Sequence, residues 1–222
     1  MARYGINPVN TLGVSAPDLW GLARRIRHDH ELALALWDSG IHEARKLAAL
    51  IDDPHLVTSG QMERWVEDLD SWDVCDAACS VLFDKTPHAW TKAAAWTRRR
   101  GQFVRRAGFV LMAALAVHDK EAPDGRFLAF LPLIERGATD ERNFAKKAVN
   151  WALRQIGKRN PRLNRAAVAS ARRIQRLDSP AARWVAADAL RELTSPVTSA
   201  RLVARQVGGS RRRPARGRAP GG

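Results

Sequence analysis

Residues 70–76, Asp-Ser-Trp-Asp-Val-Cys-Asp, place carboxylates and an indole at the predicted start of a helix. Asp70 or Ser71 can cap that helix, and its first turn is acidic, as the helix dipole favours. Trp72 and Asp76 are four residues apart, so on a helix they share one face. A carboxylate beside an indole can hold a positively charged group that water reaches poorly. The alternative is a capped helix with a buried Trp72 and a solvated Asp76, and this segment alone favours that alternative.

The composition is that of a soluble globular protein. Hydrophobic residues make up 45% of the 222 residues, which is enough for a substantial core. No apolar run approaches the roughly 18 residues of a membrane span, and the N-terminus has no signal-peptide pattern. Cys75 and Cys79 have no further Cys to complete a metal site, so we expect buried thiols in a reducing compartment. We therefore expect a cytoplasmic location.

The formal net charge is +14. Residues 201–222 contain seven Arg and no acidic residue, which leaves +7 on residues 1–200. A basic domain followed by a basic arm favours a polyanionic partner, nucleic acid before membrane. We expect residues 1–207 to form the folded domain and residues 208–222, rich in Arg, Gly and Pro, to be a disordered tail.

Helical patterns follow one another along nearly the whole chain. Apolar residues recur at helical spacing, the turns contain Gly and Pro, and no segment alternates as a half-buried strand does. The sequence therefore predicts an all-α fold. The predicted helices cover residues 16–26, 32–37, 42–51, 62–69, 72–84, 87–97, 102–117, 127–135, 141–156, 163–177 and 180–193, with a short last helix from Ser195.

Parts of the chain resemble one another at a spacing of roughly 40 residues. Phe103-Val-Arg-Arg-Ala and Phe144-Ala-Lys-Lys-Ala share one pattern, and Arg183 continues it if it matches Lys147. This period, with two helices in each unit, is typical of HEAT-type repeats, which stack into a curved solenoid with a concave face. The basic residues would line that face as a groove for the DNA backbone. The alternative is that they form ordinary solvated helix surfaces.

Several short motifs in a fixed order resemble those of a known family. They are Met1-Ala-Arg-Tyr-Gly with Leu12-Gly-Val-Ser-Ala-Pro, His42-Glu-Ala-Arg-Lys-Leu-Ala, Ser71-Trp-Asp-Val-Cys-Asp, Val104-Arg-Arg-Ala and Phe144-Ala-Lys-Lys-Ala-Val-Asn-Trp-Ala-Leu-Arg. Over roughly residues 3–195 the chain is similar to the alkylpurine DNA glycosylases of the DNA alkylation repair (AlkD-type) family, which have HEAT-like repeats. The resemblance implies hydrolytic release of 3-methyladenine and 7-methylguanine from double-stranded DNA, leaving an abasic site, without cofactor or metal.

The resemblance also implies roles for individual residues. The catalytic aspartate of the family falls on Asp76, its two cleft tryptophans on Trp72 and Trp151, its phosphate-contacting arginine on Arg106 and its cleft tyrosine on Tyr4. Further contacts with the DNA backbone are expected from Arg105, Lys146 and Lys147. Family members often have another helix before the tyrosine segment, and the basic tail is not part of their pattern.

The remaining tryptophans and the His42-Glu43 pair have simpler interpretations. Without the resemblance, Trp151 would be expected in the core. The tryptophans expected to serve only in packing are Trp20, Trp37, Trp65, Trp90, Trp96 and Trp184. His42-Glu43 has no second His at zinc-protease spacing, and there is no Gly-rich phosphate loop.

The sequence leaves two functions open. No lysine has a local reason for a lowered pKa, so a monofunctional glycosylase is favoured over one that also cleaves the DNA backbone through a Schiff base. We expect a monomer that binds alkylated duplex DNA and does not bind membranes. The alternative is a non-catalytic HEAT-repeat scaffold for protein or for damaged or branched DNA.

Overall fold

The computed structural model describes residues 6–210, and of residues 205–210 it describes only the backbone. Within this range the protein contains helices and no strands, which confirms the predicted all-α fold. None of the described helices is long and apolar enough to cross a membrane. Tyr4 and residues 211–222 lie outside the described residues.

The helices follow one another with short connections. They are α1 (Ala16–Ile26), α2 (His30–Asp38), α3 (His42–Ile51), α4 (Ser59–Glu67), α5 (Trp72–Ala77), α6 (Ala89–Trp96), α7 (Gln102–His118), α8 (Asp124–Gly137), α9 (Asn143–Gly157), α10 (Pro161–Gln175), α11 (Pro180–Leu193) and α12 (Pro196–Ser210). Between α5 and α6 lie a π-helical turn, Ala78–Leu82, and a 3-10 turn, Phe83–Lys85.

Capping residues explain where several helices begin, including α10, which starts two residues before the predicted Leu163. The side chains of Ser15, Asn160 and Ser179 each accept a hydrogen bond from a backbone N–H in the first turn of α1, α10 and α11. In each of these helices a proline lies in the first turn, where its fixed φ favours the helix and its missing N–H costs nothing.

The helices pack in two layers. In one layer α3, α5, α7, α9 and α11 form a row in which each helix packs against the next. In the other layer α2, α6, α8 and α10 pack against α3, α7, α9 and α11 respectively. The α3–α11 row therefore places the starts of helices from successive repeats next to one another.

Gly108 sets the separation of α6 and α7. A Cβ atom at this position would lie 2.8 Å from the backbone nitrogen of Thr97 and 3.1 Å from the carbonyl oxygen of Ala93. Because both neighbours are backbone atoms, they cannot move aside as a flexible side chain does. The glycine therefore lets α7 pack at the distance that this arrangement requires.

Of the six tryptophans expected only to pack, four lie in or against the core, as predicted, and two do not. Trp37, Trp65 and Trp96 are buried, and the rings of Trp37 and Trp65 stack with centroids 4.0 Å apart. Trp20 is 49% exposed and Trp184 is 41% exposed, so the prediction that they only pack was wrong. The physical reason is that each lies outside the buried stripe of its helix. The buried residues of these helices are Leu19 and Ala23 in α1 and Ala181, Ala182, Val185, Ala186, Ala189 and Leu193 in α11.

Candidate functional site

Asp76 and Arg106 form an ion pair with two hydrogen bonds. Nε of Arg106 donates to Oδ1 of Asp76 at 2.9 Å, and Nη2 donates to Oδ2 at 2.8 Å. Nη1 of Arg106 donates to the carbonyl oxygen of Phe144 at 2.7 Å. Arg106 is only 6% exposed, whereas 22% of the Asp76 side chain is exposed. One guanidinium thus ties together α5, α7 and the start of α9.

The indole of Trp72 lies beside this ion pair. The guanidinium carbon of Arg106 is 5.9 Å from the centroid of the Trp72 ring. Trp72 and Asp76 therefore face one cationic group, as their four-residue spacing on a helix predicts. In the described structure that cation is the protein's own Arg106.

Burial and charge act in opposite directions on this pair. Burial raises the pKa of Asp76, and the charge and hydrogen bonds of Arg106 oppose that rise without cancelling it. Burial disfavours the charged form of Arg106 as well, but the Asp76 carboxylate raises the pKa of Arg106 above its ordinary value. The site therefore contains a fixed cation and a carboxyl group that is protonated more readily than an ordinary aspartate.

Asp73 fixes the start of α5 against α3. Its Oδ1 accepts a hydrogen bond from Oγ of Ser71 at 2.6 Å, and its Oδ2 lies 3.0 Å from Nζ of Lys46 and 2.9 Å from Nε2 of His42. Burial opposes ionisation, but the hydrogen bonds from His42, Ser71 and Lys46 hold the pKa of Asp73 well below its usual range. This ionised carboxylate fixes the helix that carries Trp72.

The predicted side-chain cap of α5 is not formed. Ser71 occupies the capping position, but its side chain makes no capping hydrogen bond to the backbone, and its hydroxyl donates to Asp73. Asp70 accepts a hydrogen bond from Nδ2 of Asn7 instead. The Asp70 side chain therefore holds the segment before α1, and Ser71 contacts the first turn of α5 only through the side chain of Asp73.

Glu43 connects the segment before α1 to α3. Its carboxylate accepts the backbone N–H groups of Leu12 and Gly13 at 2.8 and 2.9 Å. These contacts hold the segment before α1 against the start of α3. Among the residues that the structure describes, no three His, Cys, Asp or Glu side chains are grouped to bind a metal ion.

The segment after Asp76 stays helical but departs from the predicted single α-helix. The thiols of Cys75 and Cys79 lie 3.8 and 3.7 Å from the carbonyl oxygens of Phe103 and Ala107. Small side chains allow this close approach to α7, and the π-helical and 3-10 turns adjust the chain to that contact. Both thiols are buried, as predicted.

Arg105 is also held by a carboxylate. Its Nε lies 3.2 Å from Oδ2 of Asp140, and the same oxygen lies 2.6 Å from Nη2 of Arg142. The Asp140 side chain is only 6% exposed. Both arginines that the sequence assigns to DNA contacts on α7 are therefore ion-paired in this structure.

The predicted lysines lie on α9, the next helix of the row. Nζ of Lys146 lies 5.3 Å from the ring centroid of Trp184. Lys147 is exposed and makes no ion pair with any acidic residue that the structure describes. Trp151 is half-buried and packs against the hydrophobic core. The structure thus brings Trp72, Asp76 and Arg106 into contact. Lys146, Lys147 and Trp151 lie on α9, which packs against α7.

A cavity of about 550 Å³ lies at the other end of α7 from Arg106. Arg159 lines it and donates a hydrogen bond to the carbonyl oxygen of Ala116 at 2.8 Å. A cation suits the carbonyl-rich end of a helix. Because the cavity lies at the end of α7 opposite Arg106, it is separate from the Asp76 site.

The side chains that hold the predicted site residues were not themselves predicted as site residues. Asp73 and Asp140 fix α5 and Arg105, and Trp184 lies against Lys146. The repeat pattern matched Arg183 with Lys147, but by position in the helix the match is the next residue, Trp184.

Comparison with known proteins identifies the family to which this site belongs. The sequence profile of a family described as "DNA alkylation repair enzyme" matches residues 1–193. This chain belongs to the DNA alkylation repair family. The matched region runs from before α1 to the end of α11, so it includes Trp72, Asp76 and Arg106.

A solved structure resembles the whole fold of this DNA alkylation repair protein. It is described as "A new family of proteins related to the HEAT-like repeat DNA glycosylases with affinity for branched DNA structures". The TM-score is 0.71 at 18% sequence identity, and the match covers 90% of this chain and 87% of that chain. This likeness confirms the HEAT-like repeat fold. No curated protein matches the chain in sequence.

Proposed function

We propose that the protein hydrolyses the N-glycosidic bond of cationic alkylated purines, such as 3-methyladenine and 7-methylguanine, in duplex DNA and leaves an abasic site. The family supports a role in DNA alkylation repair. The observation that carries the proposal is the partly exposed Asp76 carboxylate beside the Trp72 indole, in a setting already arranged to hold a cation.

The chemistry requires little beyond one carboxylate. Alkylation gives the base a positive charge, so the base leaves without protonation by a general acid. Asp76 then stabilises the oxocarbenium-like sugar and orients or deprotonates the attacking water, where neutral glycosides usually need two carboxyl groups. At an effective dielectric constant of about 20, a charge pair 4 Å apart contributes about 4 kcal/mol. That energy corresponds to about a thousandfold in rate.

Arg106 has a double role in this proposal. A guanidinium has five N–H donors, and three of those of Arg106 are engaged by Asp76 and Phe144. The remaining donors can bind a phosphate oxygen next to the lesion while the contacts with Asp76 persist. A phosphate there would offset part of the arginine charge that Asp76 meets, which strengthens the carboxylate's attraction for the cationic nucleotide.

The other predicted residues complete the proposed DNA contact. Trp72 and Trp151 would present indoles to the sugar and the cationic nucleotide, and the resemblance adds Tyr4 to this group. Contacts with the DNA backbone would come from Arg105, Lys146 and Lys147. Because the carboxylate of Asp140 already holds Arg105, we expect the two lysines to contribute more to DNA affinity.

A second function is a non-catalytic scaffold that binds damaged or branched DNA. The structural relative described as having affinity for branched DNA favours it. The ion pair does so too, because Arg106 offsets much of the negative charge that catalysis at Asp76 would use.

Release of 7-methylguanine from methylated duplex DNA separates the two functions. We expect release by the unchanged protein and about a thousandfold slower release by the Asp76→Asn variant. No release by the unchanged protein, together with tighter binding to a four-way junction than to a duplex, would favour the scaffold.

A further inference from the structure

Trp184 is an exposed aromatic residue beside lysines. Its side chain is 41% exposed, and Nζ of Lys146 lies 5.3 Å from its ring centroid. Such a distance is within the range of a cation–π contact, which fixes the indole without burying it. An indole held at the surface in this way is available to a ligand.

Trp184 occupies the same place in its helix as the basic residues of the preceding repeats. Arg106, Lys147 and Trp184 are each the fifth residue of their helix, in α7, α9 and α11 respectively. These helices are consecutive in the α3–α11 row, and each packs on the next. Trp184 therefore extends the line that begins at the Asp76–Arg106 pair.

The surroundings of Trp184 favour an anionic ligand. The carboxylate of Glu141 accepts hydrogen bonds from the hydroxyl of Ser179 and the backbone N–H of Ala181. Asp178 pairs with Arg183 across 3.4 Å. Arg183 offsets Asp178 and Arg191 offsets Asp188, so the two ammonium groups of Lys146 and Lys147 exceed the single remaining carboxylate of Glu141 and leave this surface with net positive charge.

We propose that Trp184 and Lys146 form a contact for an unpaired nucleotide of the bound DNA, with the indole stacked on the base and the lysines on adjacent phosphates. An exposed indole next to cations is the combination with which proteins bind single-stranded nucleic acid, since every base has a π-face. Intact duplex hides that face inside its own stack. The contact should therefore favour gapped, flapped or branched DNA over continuous duplex. It rests on the proposed function only in requiring DNA as the ligand.

The test is a comparison of two DNA ligands by fluorescence anisotropy, with the full chain. One ligand is a continuous duplex, and the other is a duplex of equal length with a short single-stranded gap. We expect Trp184→Ala to weaken binding to the gapped DNA by about 5- to 100-fold, the range for loss of one stacked base. Binding to the continuous duplex should change by less than threefold, and Trp184→Phe should retain most of the affinity for the gapped DNA.

Trp20→Ala is the matched control. Trp20 is 49% exposed on α1, with Arg24 one turn further along the same helix. We expect it to leave both affinities within twofold. Equal affinities of Trp184→Ala and the unchanged protein for gapped DNA would overturn the proposal, and so would equal losses on the two ligands or an equal loss in Trp20→Ala.

These outcomes are independent of catalysis. Selective loss of gapped-DNA binding in a protein that releases no 7-methylguanine would support this contact and refute the glycosylase proposal. If the protein released 7-methylguanine but Trp184→Ala caused no selective loss of gapped-DNA binding, only this contact would be refuted.

Discussion

The last four helices of the α3–α11 row, α5 to α11, have two ends that use the same position of their helices in different ways. At the α5–α7 end, Arg105 and Arg106 are paired with the carboxylates of Asp140 and Asp76. At the α9–α11 end, Lys147 and Trp184 are exposed. Matching positions in the repeat thus carry paired charges at one end, and an exposed lysine and an exposed indole at the other.

The difference suggests a division of labour. A buried ion pair holds its groups in fixed geometry and is costly to break, which suits residues that must meet a reacting sugar. Exposed cations contribute affinity by releasing counterions from DNA and need no fixed geometry. We infer that the α5–α7 end performs the chemistry while the α9–α11 end holds the DNA.

The largest expected effect is on stability at the paired end. Arg106→Ala would leave the Asp76 carboxylate partly buried without its partner, which should lower the free energy of unfolding by about 3 kcal/mol. Lys147→Ala, the matched change on α9, should stay within about 0.5 kcal/mol. Urea denaturation of the two variants checks this contrast. If Arg106→Ala and Lys147→Ala had equal free energies of unfolding, the ion pair of Arg106 would not stabilise the fold more than the exposed Lys147 does.

The next effect depends on pH. Because the pKa of Asp73 is lowered in the folded protein, its contribution to stability is present above the unfolded pKa of about 3.9 and is lost as pH falls below it. We expect Asp73→Asn to cost about 1–3 kcal/mol at pH 7, with the difference from the unchanged protein shrinking between pH 4 and pH 2.5.

Asp178→Asn is the control for that pH series. Asp178 is fully exposed and pairs with Arg183 across 3.4 Å, so its replacement should have little effect at any pH. Urea midpoints measured along the series provide the comparison. A pH-independent difference for Asp73→Asn would show that its ionised form does not stabilise α5.

The smallest effect is on the salt dependence of DNA binding. Removing one phosphate contact by Lys147→Ala should reduce the slope of log affinity against log salt concentration by about 0.9. Lys85→Ala, an exposed lysine on the 3-10 turn, serves as the control and should leave the slope unchanged. If the two variants gave the same slope, Lys147 would not be part of the DNA contact.

The sequence predicts the helices well because their signals are local. The cap at Ser15, the prolines of α10 and α11 and the apolar spacing within each helix depend on neighbouring residues only. The shared face of Trp72 and Asp76 likewise follows from their spacing of four residues within one helix. These features could be predicted with no knowledge of how the helices pack.

The ion pairs could not be predicted in the same way. Arg106 meets Asp76 because α5 packs on α7, and it meets the Phe144 carbonyl because α7 packs on α9. The family resemblance assigned Arg106 to a phosphate, and the structure shows it holding Asp76. The exposure of Trp184 likewise depends on which stripe of α11 is buried, and its position one residue after Arg183 was the available signal.

The most direct test of the central claim is the rate of 7-methylguanine release in a single turnover, with protein in saturating excess over methylated duplex DNA. Saturation removes affinity from the comparison, so only the chemical step remains. We predict that Asp76→Asn releases the base about a thousandfold more slowly than the unchanged protein, while Lys147→Ala releases it at the unchanged rate. A normal rate for Asp76→Asn would contradict the account, because the carboxylate beside Trp72 would then have no part in the reaction.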